Sequence, residues 1–500
     1  MTLDPIDNLG FHARYRPEKL AIRDLTHGGS WSYAAFDDTV ARCAGMLLAR
    51  GAIAGARVAA LSKNRAELII LHLACSRIGA IFVPLNWRLS AGEIEALMED
   101  AEPALAFTDG VVPSVRGPFE AIDELLDAIA RAEPAPAVAI DPDPPALILY
   151  TSGTSGRPKG VQLSERNLSA SGAASVLLYD VNQDSAVLGD APMFHTLGIV
   201  ANVRPYLQAG GTILVSDGFV PERTLDRLTD PALGVTHYFC VPQMATSLRA
   251  ASNFDPASLR KLTGLFTGGA PNPAEAIKAW IDDGVVLVNG FGMTEAGTIF
   301  GMPARRETNP GRLGSVGFAS PLMQGRVADL QDRPCPDGTA GELQLKGHGV
   351  TSGYWRRPVE TADAFTADGW FRTGDIARVD AQGYYWLIDR RKDMFISGGE
   401  NVYPAEVEAV LAGHPLIAEH AVVGVPDDTW GEVGHLAVVA RPGETLDPET
   451  VLAAFNGVLA RYKHPRRFSQ LEALPRNGAG KVLKHELRAL LIRDAGAKEK

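Results

Sequence analysis

Between residues 150 and 163 the chain reads YTSGTSGRPKGVQL, which places Thr151, Ser152, Gly153, Thr154, Ser155, Gly156 and Lys159 directly behind the apolar run ALILY. Small residues expose backbone N–H groups and let oxygens approach closely, and the lysine adds a cation, so the composition suits a phosphate cradle. A Walker loop would need GxxxxGK[ST] opening a helix. Here Lys159 follows Arg157-Pro158 and leads into the alternating GVQL, which reads as strand, loop, strand. A plain Ser/Gly surface loop has a similar composition. Its place between two apolar strands argues against a mere tether.

The elements around this loop set the fold class. RVAALS, AIFVPL, ALILY, AVLGDAP, GTILVS, HYFCVP, KLTGLFTGG and VVLVNGFG are short apolar runs ending in Gly, Pro or polar residues, and helical patterns such as SAGEIEALMED and NPAEAIKAWIDDG lie between several of them. Strand and helix alternating over about 300 residues is the mark of doubly wound α/β sheets. From about residue 310 the texture turns to strands and turns, a small β-rich, barrel-like module reaching to about 390. After the charged linker DRRKD, GENVYPAEVEAVLAGHP, IAEHAVVGVPD, GHLAVVARP and DPETVLAAFNGVLARYKHP give helix, strand, strand, helix. The expected organisation is a large N-terminal domain, 1–391, of two α/β layers plus the β module, and a small α+β domain, 392–500. The Pro/Ala-rich end of 121–146 reads as an exposed connector into the loop.

Five hundred residues exceed what one core usually organises. The 46% hydrophobic and 21% charged content is that of a soluble globular protein. The longest apolar stretch, LIILHLACSRIGAIFVPL, is broken by His72, Ser76, Arg77 and Gly79, so no membrane span is expected. The N-terminus lacks signal-peptide and transit-peptide character, and Cys43, Cys75, Cys240 and Cys335 have no metal-like spacing, so free thiols in the cytoplasm are expected. A net charge of −11 disfavours nucleic acid as a partner. From residue 456 onward, however, 11 Lys and Arg stand against four Asp and Glu, a local positive patch suited to a polyanionic small molecule.

Four further motifs follow the loop in order: GFGMTEAG (290–297), WFRTGD (370–375), DRRKDMFISGGENVYPAEVE (389–408) and PRNGAGKVLKHELR (475–488). Together with the loop they resemble the adenylate-forming superfamily of acyl-CoA synthetases, luciferases and peptide-synthetase adenylation domains. The likeness covers nearly the whole chain. It implies that a substrate carboxylate attacks the α-phosphate of ATP, giving an acyl-adenylate and pyrophosphate, with preorganised donors and Mg²⁺ stabilising the charge that builds on oxygen.

The resemblance assigns residues 151–160 to the β- and γ-phosphates, with Lys159 as the cation. Thr294 would contact the α-phosphate and Glu295 would hold Mg²⁺, with Thr154 as a second metal contact. A Thr-Glu pair is also a frequent helix cap. Gly269, Ala270 and Pro271 in FTGGAP would border adenine, as would Asn289, Gly290, Phe291, Gly292 and Met293 in the next strand. Asp375 would accept hydrogen bonds from both ribose hydroxyls, supported by Arg390. Lys481, in a glycine-rich turn, would bridge substrate carboxylate and α-phosphate. Lys392 falls at the family's hinge, so the C-terminal domain is expected to be mobile and to present a different face for each half-reaction.

For the second step, Gly398 and Gly399 would let pantetheine pass along the backbone, Trp430 would stack on the CoA adenine, and Lys463, Arg466 and Arg88 would meet its phosphates. His195, Thr196, Gly198, Val241, Gly290 and Gly297 would line the acyl site, with His195 as an aromatic gate, although a His among apolar residues also reads as ordinary core. The glycines suggest space. No carrier domain is expected after Lys500, and Phe194-His195-Thr196 stand where amino-acid-activating members place an Asp. Free CoA and a carboxylic acid without an α-amine are therefore expected, a medium-chain fatty or aryl acid ahead of a dicarboxylic one, in a monomer or homodimer. A ligase loading a carrier protein, and an inactive nucleotide-binding regulator, are the alternatives.

Overall fold

The computed structural model describes residues 7–136, 141–151, 158–269, 272–302, 312–397, 400–456, 458–476 and 482–498. They fall into two compact units, 1–325 with 345–371, and 326–344 with 372–500.

The first unit is built on two sheets. The seven-stranded sheet runs Gly353–Tyr354, Lys159–Ser164, Pro145–Thr151, Ile81–Pro84, Arg57–Leu61, Leu105–Thr108, Phe119–Ala121. Its middle strands are parallel. Pro145–Thr151 and Lys159–Ser164 form the strand, loop, strand expected from the sequence, pairing antiparallel with Thr151 opposite Lys159. The nine-stranded sheet runs Phe318–Ala319, Gly297–Gly301, Leu287–Met293, Gly264–Thr267, His237–Cys240, Ala186–Gly189, Thr212–Val215, Leu20–Asp24, Ser30–Ser32. Its central strands, buried throughout, are continuous apolar runs because parallel strands are covered on both faces.

Helix Ala66–Ile78 shows how the core is assembled. Residues 66 to 76 are all buried, so the helix has no polar face and reads as a central packing element. Its first N–H groups need partners. The Ala66 N–H donates to the buried Asp24 carboxylate at 3.0 Å, and Gly79 in a left-handed conformation (φ 69°) ends the helix. Tyr33, Phe36, Phe82 and Phe107 pack in the same core, where burial of each such ring contributes about 2 kcal/mol.

Most of a four-stranded sheet, in the order Met323–Ala328, Gly341–Gly347, Phe371–Val379, Tyr385–Arg390, falls in the second unit. That unit also carries a sheet in the order Glu400–Val402, Phe395–Ser397, Gly431–Ala440, Ile417–Asp427, with Arg467–Gln470 parallel to Gly431–Ala440. Helices Pro404–Ala409, Pro448–Ala453 and Lys484–Lys498 accompany that sheet. Val402, Val407, Leu436 and Phe455 centre its core.

Candidate active site

Lys159 begins its strand at the far end of the Ser/Thr/Gly loop, so the hairpin fixes where the cation emerges. Ser152, Gly153, Thr154, Ser155 and Gly156 lie outside the described residues, as do Ala270, Pro271, Gly398, Gly399 and Lys481. The ammonium of Lys159 stands over the ring of Tyr354, 5.1 Å from its centroid. The hydroxyl of that tyrosine donates to Glu295 at 3.1 Å. One aromatic side chain thereby joins the expected phosphate cation to the expected metal ligand.

Thr294 and Glu295 form the tip of an antiparallel hairpin, with Met293 opposite Gly297 and the Ala296 N–H donating to the Met293 carbonyl at 3.1 Å. They cap no helix. Two contacts hold Tyr354 opposite this tip. The Thr351 N–H donates to the Glu295 carbonyl at 2.7 Å, and Gly353-Tyr354 pair with Val161-Gln162 at the edge of the seven-stranded sheet.

Tyr354 was not legible as a site residue. Its only signal is a tyrosine after a glycine in GVTSGYW, and that glycine takes φ 140°.

Mg²⁺ usually binds through one or two carboxylates and completes its shell with phosphate oxygens and water. Glu295 fits that role: it is half-buried and its carboxylate, a hard oxygen donor, accepts the Tyr354 hydroxyl. Among the described residues no three His, Cys, Asp or Glu converge, so a cage made of protein groups alone is not formed there.

The strand carrying GFG is held from both sides. Asn289 donates to the Ser315 carbonyl at 3.1 Å, and Phe291 packs near Phe300. Gly269 turns the neighbouring strand with φ 80° and faces Val241. Three glycines correct the expectation of space. A Cβ on Gly198 would collide with the Pro192 carbonyl, on Gly290 with the Tyr179 hydroxyl, and on Gly297 with Ser171 Oγ. They permit close backbone approach and open no cavity in that direction.

His195 lies between strand Ala186–Gly189 and the π-turn Leu197–Ala201. The residue is exposed although protein crowds its imidazole, so it is not a sealed core histidine. That desolvation, and then the nearby Arg88 guanidinium, hold the imidazole down at about 4. Phe194 lies 4.5 Å from His195 by ring centroids and meets Trp87 edge-on at 6.2 Å. Arg88 stands 5.1 Å over Trp87 and 5.9 Å over Phe194, which places it in this aromatic wall. Thr196 Oγ1 is buried with no hydrogen-bond partner among the described residues. Arg204 is buried and grips Glu165 through both terminal nitrogens at 2.8 and 2.7 Å, so its charge is committed within the protein rather than to a second substrate carboxylate.

In the second unit Asp375 and Arg390 face each other across paired strands, with Arg390 Nε 2.8 Å from the buried Asp375 carboxylate. The turn 391–393 leaves Lys392 exposed. Arg466 stacks over Trp430 at 4.5 Å, bringing together two residues expected at CoA. Lys463 departs from expectation, because its ammonium is committed to both oxygens of Glu406 at 2.6 and 2.8 Å.

The chain matches the AMP-binding enzyme family over residues 11–355 and the AMP-binding enzyme C-terminal domain over residues 406–481. It is 38% identical to a feruloyl-CoA synthase from Amycolatopsis sp, covering 95% of this chain and 96% of that one. It is 36% identical to an indoleacetate–CoA ligase from Aromatoleum aromaticum, covering 96% and 97%. Among solved structures, ATP-bound MatB from Rhodopseudomonas palustris superposes with a TM-score of 0.87 at 33% identity, covering 97% of this chain and 98% of that one. Matched over nearly its whole length by these relatives, the chain belongs to the AMP-binding, adenylate-forming enzymes.

Proposed function

We propose that the protein is an ATP-dependent carboxylic acid:CoA ligase whose acid carries an aromatic ring. The observation that carries the reading is the Lys159–Tyr354–Glu295 contact. It sets a phosphate-type cation and a metal-type carboxylate on either side of one tyrosine, at the edge of a Ser/Thr/Gly loop. Aryl acids are favoured by the Trp87, Phe194 and His195 rings, and by the feruloyl and indoleacetyl groups in the names of two relatives.

In the first step an oxygen of the acid carboxylate attacks the α-phosphorus of ATP, the bond to the β-phosphate oxygen breaks, and pyrophosphate leaves. Lys159 and the loop 151–156 hold the β- and γ-phosphates, Thr294 donates to the α-phosphate, and Asp375 with Arg390 fixes the ribose. Glu295 would hold Mg²⁺, which would supply positive charge against the phosphates. Lys481 meets the carboxylate and α-phosphate oxygens as negative charge builds there. In the second step the CoA thiolate attacks the acyl carbonyl and AMP leaves, with Trp430 and Arg466 against the CoA nucleotide and Gly398-Gly399 beside pantetheine. Between the steps the domain beyond Lys392 turns about that residue.

A reducing, cytoplasmic location suits the four free cysteines. The test is product analysis over aryl and fatty acids with ATP and Mg²⁺, with and without CoA. Acyl-CoA and AMP from aryl acids are expected. Pyrophosphate release with CoA left unacylated would point to a carrier-protein acceptor, and no acid-dependent release would point to a nucleotide-binding regulator.

A further inference from the structure

The segment that presents His195 leaves strand Ala186–Gly189 of the nine-stranded sheet, yet it is gripped by a residue of the other sheet. Asn64 follows strand Arg57–Leu61 and is 2% exposed. Its Nδ2 donates to the Ala191 carbonyl at 2.8 Å, and its Oδ1 accepts the Met193 N–H at 2.8 Å. A carbonyl on one side and an N–H on the other admit only one orientation of the amide. From the opposite side Gly198 allows the π-turn to press on the Pro192 carbonyl, which also accepts the His195 N–H at 3.1 Å. Pro192 is thus clamped between Asn64 and Gly198, three residues before the imidazole.

The residue doing the clamping is itself fixed. Ser62 Oγ and the Lys63 N–H each donate to the Asp109 carboxylate at 2.9 Å, and the Ala66 N–H donates to Asp24 at 3.0 Å. Three hydrogen bonds to buried or half-buried carboxylates leave the 62–66 turn little freedom. Reading His195 as a wall of the acyl site, we infer that Asn64 is a positioning residue for acid recognition. It ties the seven-stranded sheet to the Ala191–Met193 backbone and so sets how far the Phe194-His195 rings reach toward the acid. Its side-chain hydrogen bonds run to Ala191 and Met193 and to none of the residues assigned above to the phosphates or CoA, so its influence is expected on the acid. The inference rests on the ligase reading above.

Acid-dependent ATP–pyrophosphate exchange tests it. The acid is the one the wild-type enzyme uses best among benzoate, cinnamate, phenylacetate and octanoate. Asn64→Asp, which keeps the acceptor for Met193 and loses the donor to Ala191, and Asn64→Ala are expected to raise KM for the acid at least fivefold with KM for ATP within twofold. In a His195→Ala background Asn64→Ala should add less than twofold, because two residues acting through one wall are not additive. Acid KM unchanged within twofold, ATP KM rising in step, or effects that multiply in the His195→Ala background would overturn the inference. Should Asn64→Ala lack a cooperative melt, Asn64→Asp and Asn64→Ser carry the measurement; if no variant folds, Asn64 is a structural tie and the inference is wrong. If the wild-type enzyme itself shows no acid-dependent exchange, the ligase reading fails, and that outcome is distinct from an exchange-competent enzyme indifferent to Asn64.

Discussion

Tyr354 donates its hydroxyl to Glu295 at 3.1 Å while its ring carries the Lys159 ammonium 5.1 Å from the centroid. One tyrosine side chain thus touches both charged groups, its hydroxyl on the carboxylate and its ring against the ammonium.

Tyr354→Phe removes the donor and keeps the ring. A hydrogen bond to a charged group contributes about 1.5 to 3 kcal/mol. At this half-buried site we expect the lower end, about a tenfold fall in kcat/KM for MgATP. KM for the acid should stay within twofold. Steady-state kinetics with ATP varied at saturating acid check this, and an unchanged kcat/KM would remove Tyr354 from the site.

Lys481→Ala is expected to slow adenylate formation by more than about tenfold, equivalent to at least about 1.4 kcal/mol of barrier. The thioester step, started from supplied acyl-adenylate, should change little, because that step needs no cation at the α-phosphate. Single-turnover measurements of the two halves separate these effects.

Lys392→Pro restricts the backbone where the hinge is proposed. Adenylation should persist near the wild-type rate while thioester formation falls by about tenfold or more. Equal loss in both half-reactions would count against a hinge at this residue.

His195 is held at about 4 by desolvation and then by Arg88. The imidazole is therefore neutral at every pH at which the enzyme would work, and adenylation should show no step near 6.5 that disappears in His195→Ala. The sign for stability follows from a folded pKa below the unfolded one: the unfolded chain takes up the proton first, so stability is lost as pH falls from about 6.5 toward 4. Arg88→Ala removes a cation and should raise the folded value, though only part of the way, because desolvation is the larger cause. Titration of the His195 ring by NMR reads this directly.

Much of this architecture follows from local pattern. The apolar run ALILY, the Ser/Thr/Gly loop and the alternating GVQL dictate a hairpin, and the hairpin is there with Thr151 opposite Lys159. Asp375 and Arg390 were recognisable from WFRTGD and DRRKD, and their strands pair them. What escaped the sequence depends on long-range approach. Tyr354 meets Glu295 from 59 residues away, and Asn64 meets Met193 from 129 residues away. No periodicity encodes such meetings. Lys463 was the right residue type for a phosphate, but Glu406, 57 residues distant, takes its charge. Gly198 and Gly297 read as space because composition cannot distinguish an empty pocket from a neighbouring backbone or side chain that needs the room.

The central claim is that an acid oxygen becomes bonded to the α-phosphorus of ATP and stays there when CoA takes the acyl group. Turnover with an aryl acid labelled with ¹⁸O in both carboxylate positions, followed by mass spectrometry of the nucleotide, tests it most directly. The account predicts AMP carrying one ¹⁸O, formed together with pyrophosphate and acyl-CoA. Unlabelled AMP, or ADP and phosphate in its place, would contradict it.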